Sequence, residues 1–282
     1  IDFEAGVWCT ALGHCHPRIN TAIKNQVDQI MHLGYRYRNS VVEAAAVKTL
    51  EIAGLPEGKC IFLSSGSEAV EFGVQIARRI SGKPLLLTLS GSYLAAYGSA
   101  GKKSLEEWRL FDWSGCGACT ASDKCGLQCG KLKELPLDQI GGFVFEPGNS
   151  SGMVKLPPRP LVQKLETIIR QQDGLIMANE ITTGIGRTGA WFGYNHYGLS
   201  PDIVSIGKSM GNGYPVSAVV MKADIGTLLE NSGFRYAQSH QNDALGCAVA
   251  AEVLDVIREE GLIERSSMVG AKFLNRLERL AA

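Results

Sequence analysis

The chain has 282 residues, with 28 Lys and Arg against 28 Asp and Glu, 45% hydrophobic residues and 33 glycines. That length can bury one large core or two modest ones, and the charge balance leaves no basic excess to recruit nucleic acid and no polybasic block to recruit a membrane surface. No apolar run approaches the ~18 residues that a membrane span needs, and no charged-then-apolar leader opens the chain, so a cytoplasmic protein with small-molecule partners is expected.

In chain order, IDFEAGVW reads as the middle of a strand. Helices follow near 19–33 and 40–53, then a strand at 60–63, a helix at 67–80 and a strand at 85–89. Residues 98–137 carry Gly, Ser, Trp and four cysteines without a period and read as an irregular excursion. Beyond it come a strand at 143–145, a helix at 159–172, strands at 175–178, 203–206 and 217–221, and a helix at 242–259. GAKFLNRLERLAA ends the sequence inside an amphipathic helix, and both ends look cut, so a longer polypeptide is expected. Apolar runs alternating with helices predict an α/β fold: a mostly parallel central sheet with helices on both faces.

Three stretches carry chemistry. In CIFLSSGSEAVEFG a strand runs into a helix, with Ser65 and Glu68 spaced as a capping box. Gly66 and Ser67 then offer backbone N–H groups and a hydroxyl at a helix N-terminus, which suits a phosphate dianion and serves equally as a plain cap. LIMANEITTGIGRTG holds a G-x-G-x-x-G at Gly184, Gly186 and Gly189. A dinucleotide fingerprint needs those glycines to form the strand-to-helix turn, but five residues separate strand from Gly184 and no helical pattern follows, so that reading fails. In PDIVSIGKSMGNGYP, Lys208 stands just past a strand, where partial desolvation favours its neutral amine and Schiff-base chemistry. For a single lysine the alternative is a solvated loop residue.

Six ordered motifs then decide the resemblance: GHCHPRI, SSGSEAVEFGVQIARR, FVFEPGNSSGM, NEITTGIGRTGAWFG, SPDIVSIGKSMGNGYPVSAVVM and SHQNDALGCAVA. Together they resemble the class III (ω-amino acid) aminotransferases, fold type I enzymes dependent on pyridoxal 5'-phosphate (PLP). The resemblance implies that Lys208 forms the Schiff base with PLP and acts as the catalytic base. It implies that Ser65, Gly66 and Ser67 form the phosphate cup, joined by Ser239 from a neighbouring subunit. Tyr93 is implied on one face of the pyridine ring and Ile181 on the other, with Glu146 near the substrate pocket, and Asn179 and Thr182 at cofactor-contacting positions. Amine or amino acid and 2-oxo acid substrates, ping-pong transfer and a homodimer follow. Residues 1–35 are expected to lead into the large domain, 36–240 to form it, and 241–282 to lead toward a C-terminal small domain that is incomplete here.

The sequence departs from the family where it matters chemically. Asn179 stands where the family has Asp, whose charge keeps the pyridine nitrogen protonated so that the ring accepts electrons. A neutral pyridine, compensation by Glu180 or a water, and altered or lost activity are the three explanations. The corresponding alternatives to transamination are a PLP-dependent racemase or epimerase, and a PLP-binding protein without turnover. Thr182 replaces a usual Gln, and Leu94 and Ala95 replace an imidazole and its neighbour. Arg187 is read as a structural or interface ion-pair partner, and His14, His16 and His240 as local hydrogen-bonding residues.

The sequence has eight cysteines. Cys9, Cys15, Cys60 and Cys247 sit apart and read as reduced, buried thiols. Cys116, Cys119, Cys125 and Cys129 are spaced C-x2-C-x5-C-x3-C, which admits zinc or an iron–sulfur cluster and matches neither common spacing pattern. Four ordinary thiols in a Gly-rich loop are the alternative.

Overall fold

The computed structural model describes residues 2–119, 125–126, 129–148 and 154–281. Its strands are β1 (Lys59–Leu63), β2 (Leu85–Leu89), β3 (Trp108–Phe111), β4 (Ile140–Phe145), β5 (Leu175–Glu180), β6 (Ile203–Ile206) and β7 (Ser217–Met221). They form one seven-stranded sheet in the order β1-β7-β6-β5-β4-β2-β3. β3, β2, β4, β5 and β6 pair in parallel, while β7 runs antiparallel to both β6 and β1. Strands such as LLLTL, IGGFVF and SAVVM are buried along their whole length. Near-continuous apolar runs of this kind are what a sheet covered on both faces requires.

The helices are α1 (Ala5–Trp8), α2 (Pro17–Gln29), α3 (Ser40–Ile52), α4 (Gly66–Ser81), α5 (Gly98–Lys102), α6 (Gly130–Lys133), α7 (Arg159–Arg170), α8 (Ala223–Asn231), α9 (Ala244–Glu259) and α10 (Leu262–Ala281). Side chains alternate across the strands, so adjacent residues enter different cores. Leu87, Phe143 and Ala178 join Leu161 and Leu165 of α7 and Val253 of α9. Their neighbours Leu86, Val144 and Met177 join Val70, Val74 and Ile76 of α4 and Ile225 of α8.

Asp202 fastens the sheet at one edge of this core: its carboxylate accepts from Ile176 N, Arg170 Nη1 at 3.0 Å and Lys222 Nζ at 2.7 Å. In α10 no residue is buried, and Phe273, Leu274 and Leu277 are exposed.

Several expectations change. Residues 2–8 form no strand: Ala5, Gly6, Val7 and Trp8 all have positive φ. The cause is local, because the Asp2 carboxylate accepts from the N–H groups of Glu4 at 2.8 Å and Gly6 at 2.7 Å and so bends the backbone into a turn. The 98–137 excursion is partly regular, since it supplies α5, the edge strand β3 and α6. α8, nine residues long, is not anticipated from the sequence. Of the four isolated cysteines only Cys247 is buried; Cys15 is exposed, and Cys9 and Cys60 are intermediate. Among the described residues no helix is long and apolar enough to cross a membrane.

Candidate active site

α4 begins where β1 ends. Ser65 caps it, its Oγ accepting from Glu68 N at 3.2 Å. The reciprocal half of the expected box is displaced by one residue: Glu68 Oε2 accepts from Ser64 N at 3.0 Å, and Oε1 from the Tyr236 hydroxyl at 2.7 Å. The first N–H groups of the helix, at Gly66 and Ser67, have no intrahelical acceptor by virtue of their position. Ser67 Oγ accepts from Ala96 N at 2.9 Å, which ties the segment after Tyr93 to this helix start. Gly66 allows a close approach no other residue would: a Cβ there would lie 2.7 Å from Ile181 Cγ2. Gly207 packs beside it, its Cβ position 3.2 Å from Ile181 Cδ1 and 3.4 Å from Gly66 Cα.

β5 delivers Asn179 and Glu180 to opposite faces of the sheet. Asn179 is 2% exposed; its Nδ2 donates to Tyr93 O at 3.4 Å and its Oδ1 accepts from Ile181 N at 3.2 Å. Tyr93 N in turn donates to the buried Glu146 Oε2 at 2.8 Å, leaving the Tyr93 side chain 47% exposed. Glu180 turns away from all of these. Its carboxylate accepts from Gly193 N, Tyr194 N and Thr183 Oγ1, each at 2.8 Å, and burial pushes it up to about 7. Compensation for Asn179 by Glu180 is therefore ruled out by strand alternation.

Lys208 follows β6 with φ of 41°. Its Nζ donates to Thr182 Oγ1 at 2.8 Å and stands 4.9 Å from the centre of the Trp8 ring. Burial lowers the amine below the ordinary lysine range, and the charges of Cys9 and Glu146 only partly oppose that. Arg187 is not an ion-pair partner among the described residues: its Nη2 donates to Trp8 O at 2.6 Å and Ser209 Oγ at 2.8 Å. It fastens the N-terminal turn over Lys208. Trp8 escaped sequence reasoning because it lies two hundred residues from Lys208 and in no motif.

The structure thus gathers Ser65, Gly66, Ser67, Tyr93, Glu146, Asn179, Ile181, Thr182 and Lys208 around the ends of β1, β5 and β6. Ser239 is not among them; it is exposed in a turn after α8. The GIGRTG loop after β5 makes turns rather than a helix, with positive φ at Gly186 and Gly189, in keeping with the rejected dinucleotide reading. His14 Nε2 meets Asp2 at 2.7 Å, and the His240 ring lies tilted against that of His32 with centroids 4.8 Å apart.

Comparison with known proteins gives the family. The family model described as aminotransferase class-III matches residues 1–94 and 118–282. An acetylornithine aminotransferase of Methanothermobacter thermautotrophicus is 30% identical over 99% of this chain and 70% of its own length. A 5-aminovalerate aminotransferase of Pseudomonas aeruginosa is 29% identical over 100% of this chain and 70% of its own. The solved structure of an S-selective transaminase from Arthrobacter sp., with alanine bound, superposes with a TM-score of 0.90 at 25% identity, covering 99% of this chain and 68% of that one. Family model, relatives and fold converge: this chain belongs to the class-III aminotransferases and is a pyridoxal-phosphate-dependent transaminase.

Proposed function

We propose that this chain moves the terminal amino group of an ω-amino acid or amine to a 2-oxo acid, using Lys208 as the amine that anchors PLP and as the proton carrier. The observation that carries the reading is Lys208 Nζ, desolvated, held by Thr182 Oγ1 at 2.8 Å and adjoining the Gly66–Ile181–Asn179 wall. The cofactor fits what is present. The approach that Gly66 makes to Ile181 leaves the α4 N-terminus uncovered by side chain, which suits a phosphate at the N–H groups of Gly66 and Ser67. Tyr93 and Ile181 would flank the ring.

Bound PLP supplies an aldehyde for Schiff-base formation and an electron sink for the substrate carbon. Lys208, whose neutral form burial favours, would take the proton from the substrate carbon that bears nitrogen and return it. Thr182 Oγ1 orients that amine, and Trp8 excludes water from one side of it. Asn179 can hydrogen-bond the ring nitrogen but brings no charge, which makes proton removal slower than with a carboxylate. Glu146 positions Tyr93 through its backbone N–H. The activities of these relatives, on acetylornithine and 5-aminovalerate, support an ω-amino substrate and favour transamination over the epimerase and binding-only alternatives.

The same reading includes a homodimer in which Ser239, exposed on its turn, reaches the partner's phosphate site. It takes residues 36–240 as the cofactor-binding domain, with 1–35 leading in and 241–282 leading out. All eight cysteines are free, which supports a cytoplasmic location. The test is the visible spectrum of PLP-loaded protein with a panel of ω-amines. A band absent from Lys208→Ala, bleached by an ω-amine and restored by a 2-oxo acid, is expected. A band that no amine bleaches would overturn the proposal.

A further inference from the structure

Among the described residues, three metal-ligating side chains come together at one place, and Cys116, Cys119, Cys125 and Cys129 are not among them. The group is His32, from the segment after α2, with His240 and Asp243, from the turn that leads into α9. One ligand atom from each lies within 4.8 Å of the other two. His32 Nδ1 meets Asp243 Oδ1 at 2.8 Å, and His240 Nδ1 stands 3.9 Å from the same oxygen. Ligand atoms held at about 2.0–2.2 Å from a tetrahedral ion sit about 3.3–3.6 Å from one another, so both separations are close to what a single ion would impose.

The local backbone sets these groups apart from ordinary capping residues. Asp243 is the N-cap of α9, a position where an Asp side chain usually accepts from the first turn of the helix. Here it makes no capping bond and faces the two imidazoles instead. The turn that carries it is pinned to β1. Asn242, at φ 56°, donates its N–H to Phe62 O at 3.0 Å and accepts from Phe62 N through Oδ1 at 2.9 Å, while His240 N donates to Gln238 Oε1 at 2.6 Å. Asp243 is the most covered of the three, and the two rings stay open to solvent, which leaves an ion a way in. His240 and Asp243 also line a cavity of about 240 Å³ together with Ser64 and Tyr214.

We propose that His32, His240 and Asp243 form a zinc site that clamps the turn before α9 to the segment after α2. Two imidazoles and one carboxylate suit a first-row transition ion rather than calcium or magnesium, which take oxygen ligands. Zinc has no angular preference from its d-electrons, so it accepts three protein ligands and keeps a fourth position for water or a group from the cavity. Ser239 precedes His240 in the chain, so the ion would also steady the turn from which Ser239 is proposed to reach a partner's phosphate. That consequence rests on the proposed function, whereas the site itself does not.

The experiment is calorimetric titration of zinc chloride into PLP-loaded protein freed of metal by a chelator, beside His32→Gln, His240→Gln, Asp243→Asn and Cys119→Ser. One ion per chain in the parent and in Cys119→Ser is expected. Affinity in each of the other three should fall at least about tenfold, the least that loss of even a supporting residue costs a metal site. Because the His240 ring is exposed, His240→Gln removes a ligand without disturbing the core. X-ray absorption of the zinc-loaded parent should show nitrogen and oxygen ligands at about 2.0–2.2 Å and no sulfur at about 2.3 Å. No zinc uptake by the parent, unchanged affinity in His240→Gln, or sulfur around the zinc would each overturn the proposal. Lys208→Ala separates this from the reading of the active site: it should lose the visible band and keep its zinc affinity.

Discussion

The amine of Lys208 donates to the hydroxyl of Thr182 at 2.8 Å, linking the turn after β6 to the turn after β5. The acceptor favours the charged amine while burial disfavours it, and burial prevails. PLP uptake should therefore rise with pH as Lys208 loses its proton and level off below the range of ordinary lysines. Thr182→Val removes the acceptor, so the rise should move to still lower pH, with cofactor retention weakened by no more than about fivefold, the equivalent of about 1 kcal/mol. Stopped-flow absorbance across pH measures both; an unchanged profile would show the bond to be idle.

Asn179 holds Tyr93 O and Ile181 N through its two amide atoms. Asn179→Asp supplies a carboxylate at the same place, and half-reaction rates with an ω-amine should rise by roughly tenfold, about 1.4 kcal/mol off the barrier. The variant should also be slightly less stable, since an ionised Asp cannot donate to Tyr93 O. Single-turnover kinetics decide; a rate equal to or below the parent's would mean that residue 179 does not tune the ring.

Gly66→Ala puts a methyl group 2.7 Å from Ile181 Cγ2. Overpacking of this kind costs about 1–3 kcal/mol, and the shift it forces should loosen the phosphate cup. Cofactor affinity should fall at least tenfold, and Gly66→Ala combined with Ile181→Ala should regain most of it. Titration of apoprotein with PLP gives the two affinities, and a failure of the double variant to recover would separate lost space from lost backbone geometry.

Burial holds the Glu180 carboxyl up at about 7 against an ordinary 4.5. The unfolded chain thus releases this proton first as pH rises, so the stability associated with Glu180 is full below about 4.5 and is lost progressively up to about 7. Glu180→Gln should flatten that part of the stability profile. It should also lower stability overall by about 1–3 kcal/mol, because an amide cannot accept at both oxygens from Gly193 N, Tyr194 N and Thr183 Oγ1. Thermal midpoints between pH 4 and 8 for both proteins test the sign.

Local chemistry determined much of this protein. The buried strands, the cap at Ser65 and the phosphate-suited start of α4 follow from apolar runs and short-range hydrogen bonding, which act within a few residues. The motifs around Lys208 and Asn179 carried the family for the same reason. Long-range packing alone decided the rest. β3 is legible only as an edge strand paired to β2, because WRLF is too short to declare a period. Glu180 could be separated from Asn179 only once the sheet had two occupied faces. Trp8 became a wall beside Lys208 because Arg187, far along the chain, donates to its carbonyl, and Ser239 proved to lie exposed on a turn away from the other site residues of the same chain.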